Sequence, residues 1–425
     1  MPSVSSREPS KKTGSDRSPS RQVAEGATDQ ILLDQMLRKN TLVVPRKIVF
    51  GRGTARCVGD EVATIGAQRV LLVTDPQVLE SNVLTDVTES LRAKGLDVRI
   101  FSDVEAEPDI KIADRVACVV RGREFGLVCG VGGGSVLDIA KIASVMATNL
   151  GETRHYIGVD LIRRPGLPKI LVPTTAGTGS EMTPNAIVGL HDNGTKAGII
   201  SPYVLADIAI VDPLLAMTLP PRSTASSGLD ALTHAIESYI SVDANPITSV
   251  LSQRAIGLIA RNLPTAFSEG ASVRARSAMS LAAMMGGISI ANAGTCSGHA
   301  AAYGYATKYG IPHGFSVAVA LPYILEFSLV SCPEKAKAIA EAMGETVSGL
   351  SSAEVVMRTV QAVVNLMKKV QCPMSLSQLG IPRTEIPSIA QEMLKIKRLM
   401  IHNPRPVTES QAVEIVGNMW EGKAA

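Results

Sequence analysis

The chain has 425 residues, 45% hydrophobic and 19% charged, with a formal net charge of +3 at pH 7. This is the profile of a globular chain long enough for two or three domains, and it excludes an intrinsically disordered protein. So small a charge, with no basic stripe and only 3% aromatics, excludes a nucleic-acid binder and requires a core of aliphatic residues and alanine.

Residues 1–22 are rich in Ser, Lys, Arg and Pro and nearly devoid of apolar side chains. They bury too little to offset ordering entropy, and a disordered tail is expected. From about residue 41, short apolar runs alternate with helical stretches. Strands are expected at 70–74, 97–101, 127–131 and 169–172, and helices at 78–94, 109–124 and from the glycine turn at 132–135 to about 149. Continuous apolar strands alternating with helices predict a parallel sheet covered on both faces, an α/β domain over about 41–213. After Pro221 the pattern turns helical, with helices expected at 222–243, 246–268, 271–292, 314–330, 333–346 and 353–370. This predicts an all-α second domain over 214–425. The apolar stretches 277–293 and 315–330 read as buried helices, since one is rich in Gly, Ala and Ser and the other carries Pro322 and Glu326. The N-terminus lacks the apolar core of a secretory signal. Cys57, Cys118, Cys129, Cys296, Cys332 and Cys372 show neither CxxC nor zinc-finger spacing. Free thiols in a reducing compartment, the cytoplasm, are expected, with no membrane partner.

Gly132, Gly133, Gly134 and Ser135 follow the third strand and open a helix, with Asp138 in its first turns. Glycines admit a pyrophosphate close to the backbone, and the helix N-terminus offers free N–H groups. The spacing is not GxGxxG, so a tight strand–helix connection accounts for it equally well. The segment Pro173–Glu181 follows the fourth strand and supplies Thr174, Thr175, Thr178 and Ser180 among glycines. It lies where ligands bind, beyond the carboxyl ends of the strands. Asp75 ends the first of these strands. A carboxylate there either holds a ribose 2′-hydroxyl, favouring NAD over NADP, or caps the helix near 78.

Asp230 and His234 are four residues apart in helix-forming sequence and project from one face. His299 and His313 follow among small apolar residues. One Asp and three His suit Zn(II) or Fe(II) with a position left for substrate oxygen, whereas each histidine alone is explained by a core hydrogen bond. His155, His191 and His402 are expected at the surface, and Lys196 in an exposed turn.

The stretches Phe50–Gly53, Gly132–Asp138, Pro173–Glu181, Asp212–Pro213, Leu219–Pro221, Gly228–Glu237, Ile311–Gly314 and Asn403–Thr408, in this order, resemble the iron-containing (group III) alcohol dehydrogenases over about 41–425. The resemblance implies an α/β dinucleotide-binding domain, a helical metal-binding domain and an active site in the cleft between them. It implies Fe(II), alternatively Zn(II), on Asp230, His234, His299 and His313. It implies NAD(H) held by Asp75, Gly132, Gly133, Gly134, Ser135, Asp138, Thr174, Thr175, Thr178 and Lys196. The implied reaction moves a hydride between NAD(H) and a small alcohol or aldehyde, with dimers or larger homo-oligomers.

Tyr303 and His313 are the catalytic candidates. Typical relatives often carry a histidine at the position of Tyr303. A phenol, with an unperturbed pKa of about 10, is a poorer base near neutrality, which points away from the usual proton path and short alcohols; the resemblance implies acid-bearing substrates for branches with tyrosine here. Dehydroquinate synthases, lyases that share this general fold and use NAD and metal, are a second reading, which the Gly228–His234 segment fits less well. Maleylacetate reductases are not expected to keep the four ligands, and those same four argue against a non-enzymatic nucleotide-binding protein.

Overall fold

The computed structural model describes residues 35–190 and 195–423. The tail expected over 1–22 and the surface position expected for His191 lie outside them. The first domain is built on a six-stranded sheet of β1 (Lys47–Phe50), β2 (Arg69–Val73), β3 (Asp97–Phe101), β4 (Leu127–Gly132), β6 (Lys169–Pro173) and β9 (Ile208–Val211), in the order β1-β9-β6-β4-β2-β3. Every pairing in it is parallel. β4 and β6 are buried along their whole length, which is why their sequences are unbroken apolar runs rather than alternating ones. A smaller sheet of β5 (Gly158–Val159), β8 (Thr195–Ile200) and β7 (Asn185–Leu190) lies beside it, β7 and β8 pairing antiparallel.

The chain order reverses between β2 and β4, so their carboxyl ends flank the crevice where open α/β sheets take ligands. The turn Gly132–Ser135 and Asp75 sit at those two ends. The expected strands appear within a residue or two. The helix expected over 78–94 is instead three pieces, Pro76–Glu80, Asn82–Leu84 and Thr85–Ala93. Pro76 starts the first piece early, and Ser81 is extended and caps Val83, which interrupts the run.

From Pro221 onwards the described residues form helices joined by loops, with no strand among them. Helix 246–268 runs between the residues expected, fixed at its start by a capping box between Asn245 and Thr248. The stretch His313–Ser331 is apolar and long enough to cross a membrane, and it is 78% buried inside the helical domain, the position expected of a core helix. Helices at Ser297–Tyr303, Lys397–Met400, Ile386–Lys395 and Glu409–Glu421 were not predicted. The first two are too short to show a hydrophobic period.

The two domains meet at a glycine seam. A Cβ added to Gly179, in the loop after β6, would lie 2.5 Å from Cα of Gly287 in helix 273–293. A Cβ on Gly287 would lie 2.6 Å from the Gly179 carbonyl oxygen. Backbone touches backbone there, with no room for a side chain.

Candidate active site and metal centre

Helix 221–240 presents Asp230 and His234 on one face. Helix 297–303 adds His299, and helix 313–328 begins at His313. Oδ1 of Asp230 lies 3.6 Å from Nε2 of His234, 4.0 Å from Nε2 of His299 and 3.7 Å from Nε2 of His313. The rings of His234 and His299 stack at 4.9 Å. Asp230 Oδ1 and His299 Nε2 are buried without a hydrogen-bond partner. Orphaned buried polar atoms are rare, and here they face one another, which is the arrangement of ligands around a shared ion. Ligand bonds of about 2.1 Å in a tetrahedron separate donor atoms by roughly 3.4 Å, close to the separations of Asp230 from the histidines, and the donor atoms of Asp230, His299 and His313 all lie within 4.8 Å of one another.

Electrostatics fit the same reading. Burial holds the His313 imidazole down to about 3 and lowers His234 as well, against the pull of Asp230, so both are neutral with lone pairs to offer. Burial works to raise Asp230, but the groups facing it, the Lys196 ammonium among them, outweigh this and hold it below its ordinary range. Neutral imidazoles and a carboxylate are the protonation states a divalent ion needs.

Behind the ligands lies Glu237, fully buried and one helical turn beyond His234. Its Oε2 lies 2.6 Å from Nδ1 of His299 and accepts from the Cys296 backbone N–H, and its Oε1 accepts from the N–H of Gly298. This contact turns Nε2 of His299 towards Asp230. The sequence reading gave Glu237 no role, although its spacing of seven from Asp230 marks the same helix face. Gly314 is fixed by the same packing, since a Cβ there would lie 1.9 Å from the Ser226 carbonyl oxygen. Only glycine lets helix 313–328 approach helix 221–240 closely enough to bring His313 to Asp230.

Asp230, His234, His299 and His313 open onto a cleft of about 740 Å³ that also carries Gly134, Ser135, Asp138, Thr178, Lys196, Tyr303, Arg398 and His402. No side chain caps helix 134–146, so the N–H groups of its first turn are free for an anion. Ser135 Oγ accepts from Glu107 N, and Glu107 Oε1 meets Lys196 Nζ at 2.7 Å. Lys196 therefore lies in strand β8 and is half-buried, not in the exposed turn expected; its neighbours in the sheet hold it.

The other cofactor candidates stand further back. Gly132 and Thr174 are buried and bonded to each other, Thr174 N to Gly132 O, while Gly133 and Thr175 pack against one another. Asp75 caps helix 76–80 by accepting from Val78 N, the second of the two readings open to it. Asp138 is engaged inside the protein. Its Oδ1 accepts from Ser180 and Lys141 and its Oδ2 from Ile187 N, so it ties helix 134–146 to the loop after β6 and to β7. His402, expected at the surface, is half-buried at the cleft mouth with Nδ1 2.6 Å from Asp243 Oδ2. His155 is exposed, as expected.

A parallel nucleotide-type sheet, a helical domain with a carboxylate–histidine centre and a shared cleft together define a metal-dependent alcohol/aldehyde oxidoreductase. Residues 45–213 match the family described as iron-containing alcohol dehydrogenase, and residues 224–420 match its C-terminal family. A long-chain-alcohol dehydrogenase from Geobacillus thermodenitrificans is 38% identical over 87% of this chain and 94% of its own. The structure of a 1,3-propanediol oxidoreductase superposes with a TM-score of 0.87 at 35% identity, covering 90% of this chain and all of the other. A sulfoacetaldehyde reductase from Bifidobacterium kashiwanohense, solved with NAD+, gives 0.80 at 26% identity, over 90% of this chain and 99% of the other. The chain belongs to the iron-containing alcohol dehydrogenase family.

Proposed function

We propose that this protein moves a hydride between NAD(H) and a small alcohol or aldehyde in the interdomain cleft. The observation that carries this is the convergence of Asp230, His234, His299 and His313, with two buried orphaned atoms, in the same cleft as the uncapped glycine turn. Those four residues would hold Fe(II) or Zn(II), which as a Lewis acid polarises a carbonyl oxygen and acidifies an alcohol. NAD supplies the hydride chemistry.

The chain's own residues bind and orient. The free N–H groups at Gly134 and Ser135, with the Thr178 hydroxyl, suit a pyrophosphate, and Lys196, steadied by Glu107, borders the same space. One relative is an NAD-dependent methanol dehydrogenase and the sulfoacetaldehyde reductase was solved with NAD+, which supports NAD here. Glu237 keeps His299 in one tautomer and orientation. Tyr303, one helical turn from His299, is placed to exchange the proton that aldehyde reduction takes up besides the hydride. All six cysteines are free, which supports a reducing compartment such as the cytoplasm. A homo-oligomer, dimeric or larger, completes the reading.

The test is NADH oxidation by Fe(II)- or Zn(II)-loaded protein against a panel of aldehydes, beside chelator-treated protein. We expect metal-dependent loss of one NADH per aldehyde. Turnover with no net loss of NADH would make the protein a lyase. No turnover on any aldehyde with a fully loaded site would overturn the assignment.

A further inference from the structure

The cleft wall beyond the metal centre carries a cation with nothing to neutralise it. Arg398, in helix 397–400, is half-buried and donates from Nη2 to the phenol oxygen of Tyr303 at 2.7 Å. Its guanidinium also sits 5.6 Å from the Tyr303 ring. It forms no ion pair with any described residue. The acidic groups that line the same cleft are all engaged elsewhere. Glu107 meets Lys196, Asp138 meets Lys141, Asp243 meets His402, and Asp230 lies among the three histidines. A half-buried guanidinium without a carboxylate partner is left available to an anionic ligand.

The hydrogen-bond polarity narrows the ligand. The Tyr303 oxygen accepts from Arg398, so its own O–H is left to donate. The remaining guanidinium N–H groups are donors only. The pair therefore presents donors and no acceptor, which suits a carboxylate or sulfonate and suits an alcohol hydroxyl less well. Helix 297–303 carries both Tyr303 and His299 four residues apart on one face, so this donor cluster stands beside the ligand end of the metal centre.

We propose that Arg398, oriented by Tyr303, is the anion-recognising residue of the substrate site, and that the preferred substrates are short aldehydes, or the matching alcohols, with a carboxylate or sulfonate at the far end. This rests on the hydride-transfer reading given above, and names its substrate class. Tyr303 acts here as a positioning residue besides any part in proton exchange.

The experiment compares wild type, Arg398→Gln, Arg398→Lys and Tyr303→Phe. The first readout is the ratio of kcat/KM for ω-oxo carboxylates of two to five carbons, and for sulfoacetaldehyde, to that for neutral aldehydes of equal length. The wild-type ratio is expected to be well above one. Arg398→Gln should lower it by about tenfold to a hundredfold, chiefly through KM, and Arg398→Lys should restore part of it. The carboxylate and sulfonate arms show which anion the site prefers. The second readout is calorimetric binding of an ω-hydroxy carboxylate to metal-free, NAD-loaded protein, which should weaken in Arg398→Gln by a similar factor. A wild-type ratio near one, or a ratio and an affinity unmoved by Arg398→Gln, would overturn the proposal. Failure of all aldehydes, neutral and anionic, counts against the oxidoreductase reading instead, and the calorimetry then decides the anion site alone. Tyr303→Phe with an unchanged ratio would remove the positioning role and leave Arg398 acting by itself.

Discussion

Oε2 of Glu237 sits 2.6 Å from Nδ1 of His299, and the two oxygens of that carboxylate also satisfy the backbone N–H groups of Cys296 and Gly298. One buried side chain thus fixes the ring of a metal ligand and the loop that carries it. Burial alone would raise this carboxyl, but His299 and the two N–H groups hold it below its ordinary range, so it remains an acceptor.

Replacement of Glu237 by Gln tests that arrangement with little change of shape. An amide has one acceptor oxygen, so its NH2 must face one of the donors. We expect metal affinity to fall by about 10–100-fold, with the four ligands still in place. Competition against a chelator of known affinity measures it, and an affinity equal to the wild type's would show that Glu237 only fills space.

Gly314→Ala drives a methyl to 1.9 Å from the Ser226 carbonyl oxygen, and both partners are backbone-anchored in packed helices. The helices must part, at a cost of about 1–3 kcal/mol, and His313 must retreat from Asp230. Denaturant unfolding and metal content should therefore fall together. Gly417→Ala is the control: helix 409–421 leaves open space there, and alanine should gain up to about 1 kcal/mol from helix propensity. A Gly314→Ala protein that loses stability but keeps full metal content would separate the packing role from the ligand role.

Glu181 is buried, and burial raises its pKa from 4.5 to about 7, opposed only in part by a backbone N–H and Lys141. A folded pKa above the unfolded one means a contribution to stability that is present below about pH 4.5 and is lost as pH rises towards 7. A displacement of that size corresponds to about 3 kcal/mol. Glu181→Gln cannot ionise. Relative to wild type it should gain up to about this amount between pH 5 and pH 8, whatever its stability at either pH. Urea midpoints at the two values give the difference, and a constant offset across them would refute the assignment.

Much of this was legible in the chain itself. The apolar runs of β2, β4 and β6 are continuous because both faces of the sheet are covered, and that alone revealed the parallel domain. Asp230 and His234 announced a shared face through their spacing, and His299 and His313 were found because histidines are few. Convergence was invisible, since it depends on Gly314 permitting a close helix contact. Arg398 was invisible too, because its four-residue helix has no period and its partner Tyr303 is 95 positions away. The internal bonds of Asp138 were hidden for a related reason: Ser180 and Ile187, which it holds, lie more than forty positions away.

The contact between Gly179 and Gly287 has a mechanical meaning. Gly179 belongs to the loop that borders the nucleotide crevice, and helix 273–293 also lies behind His234, whose Cβ would be 3.5 Å from a Cβ on Gly286. Side chains at an interface can change rotamer and let two bodies slide. Here the bodies meet through main chain, which has no rotamer to change. The separation of the nucleotide crevice from the ion-binding helix is therefore a main-chain contact distance, without side chains in between. A side chain at either glycine would push the nucleotide crevice away from the ion-binding helix, so this pair of residues sets how closely the two domains approach.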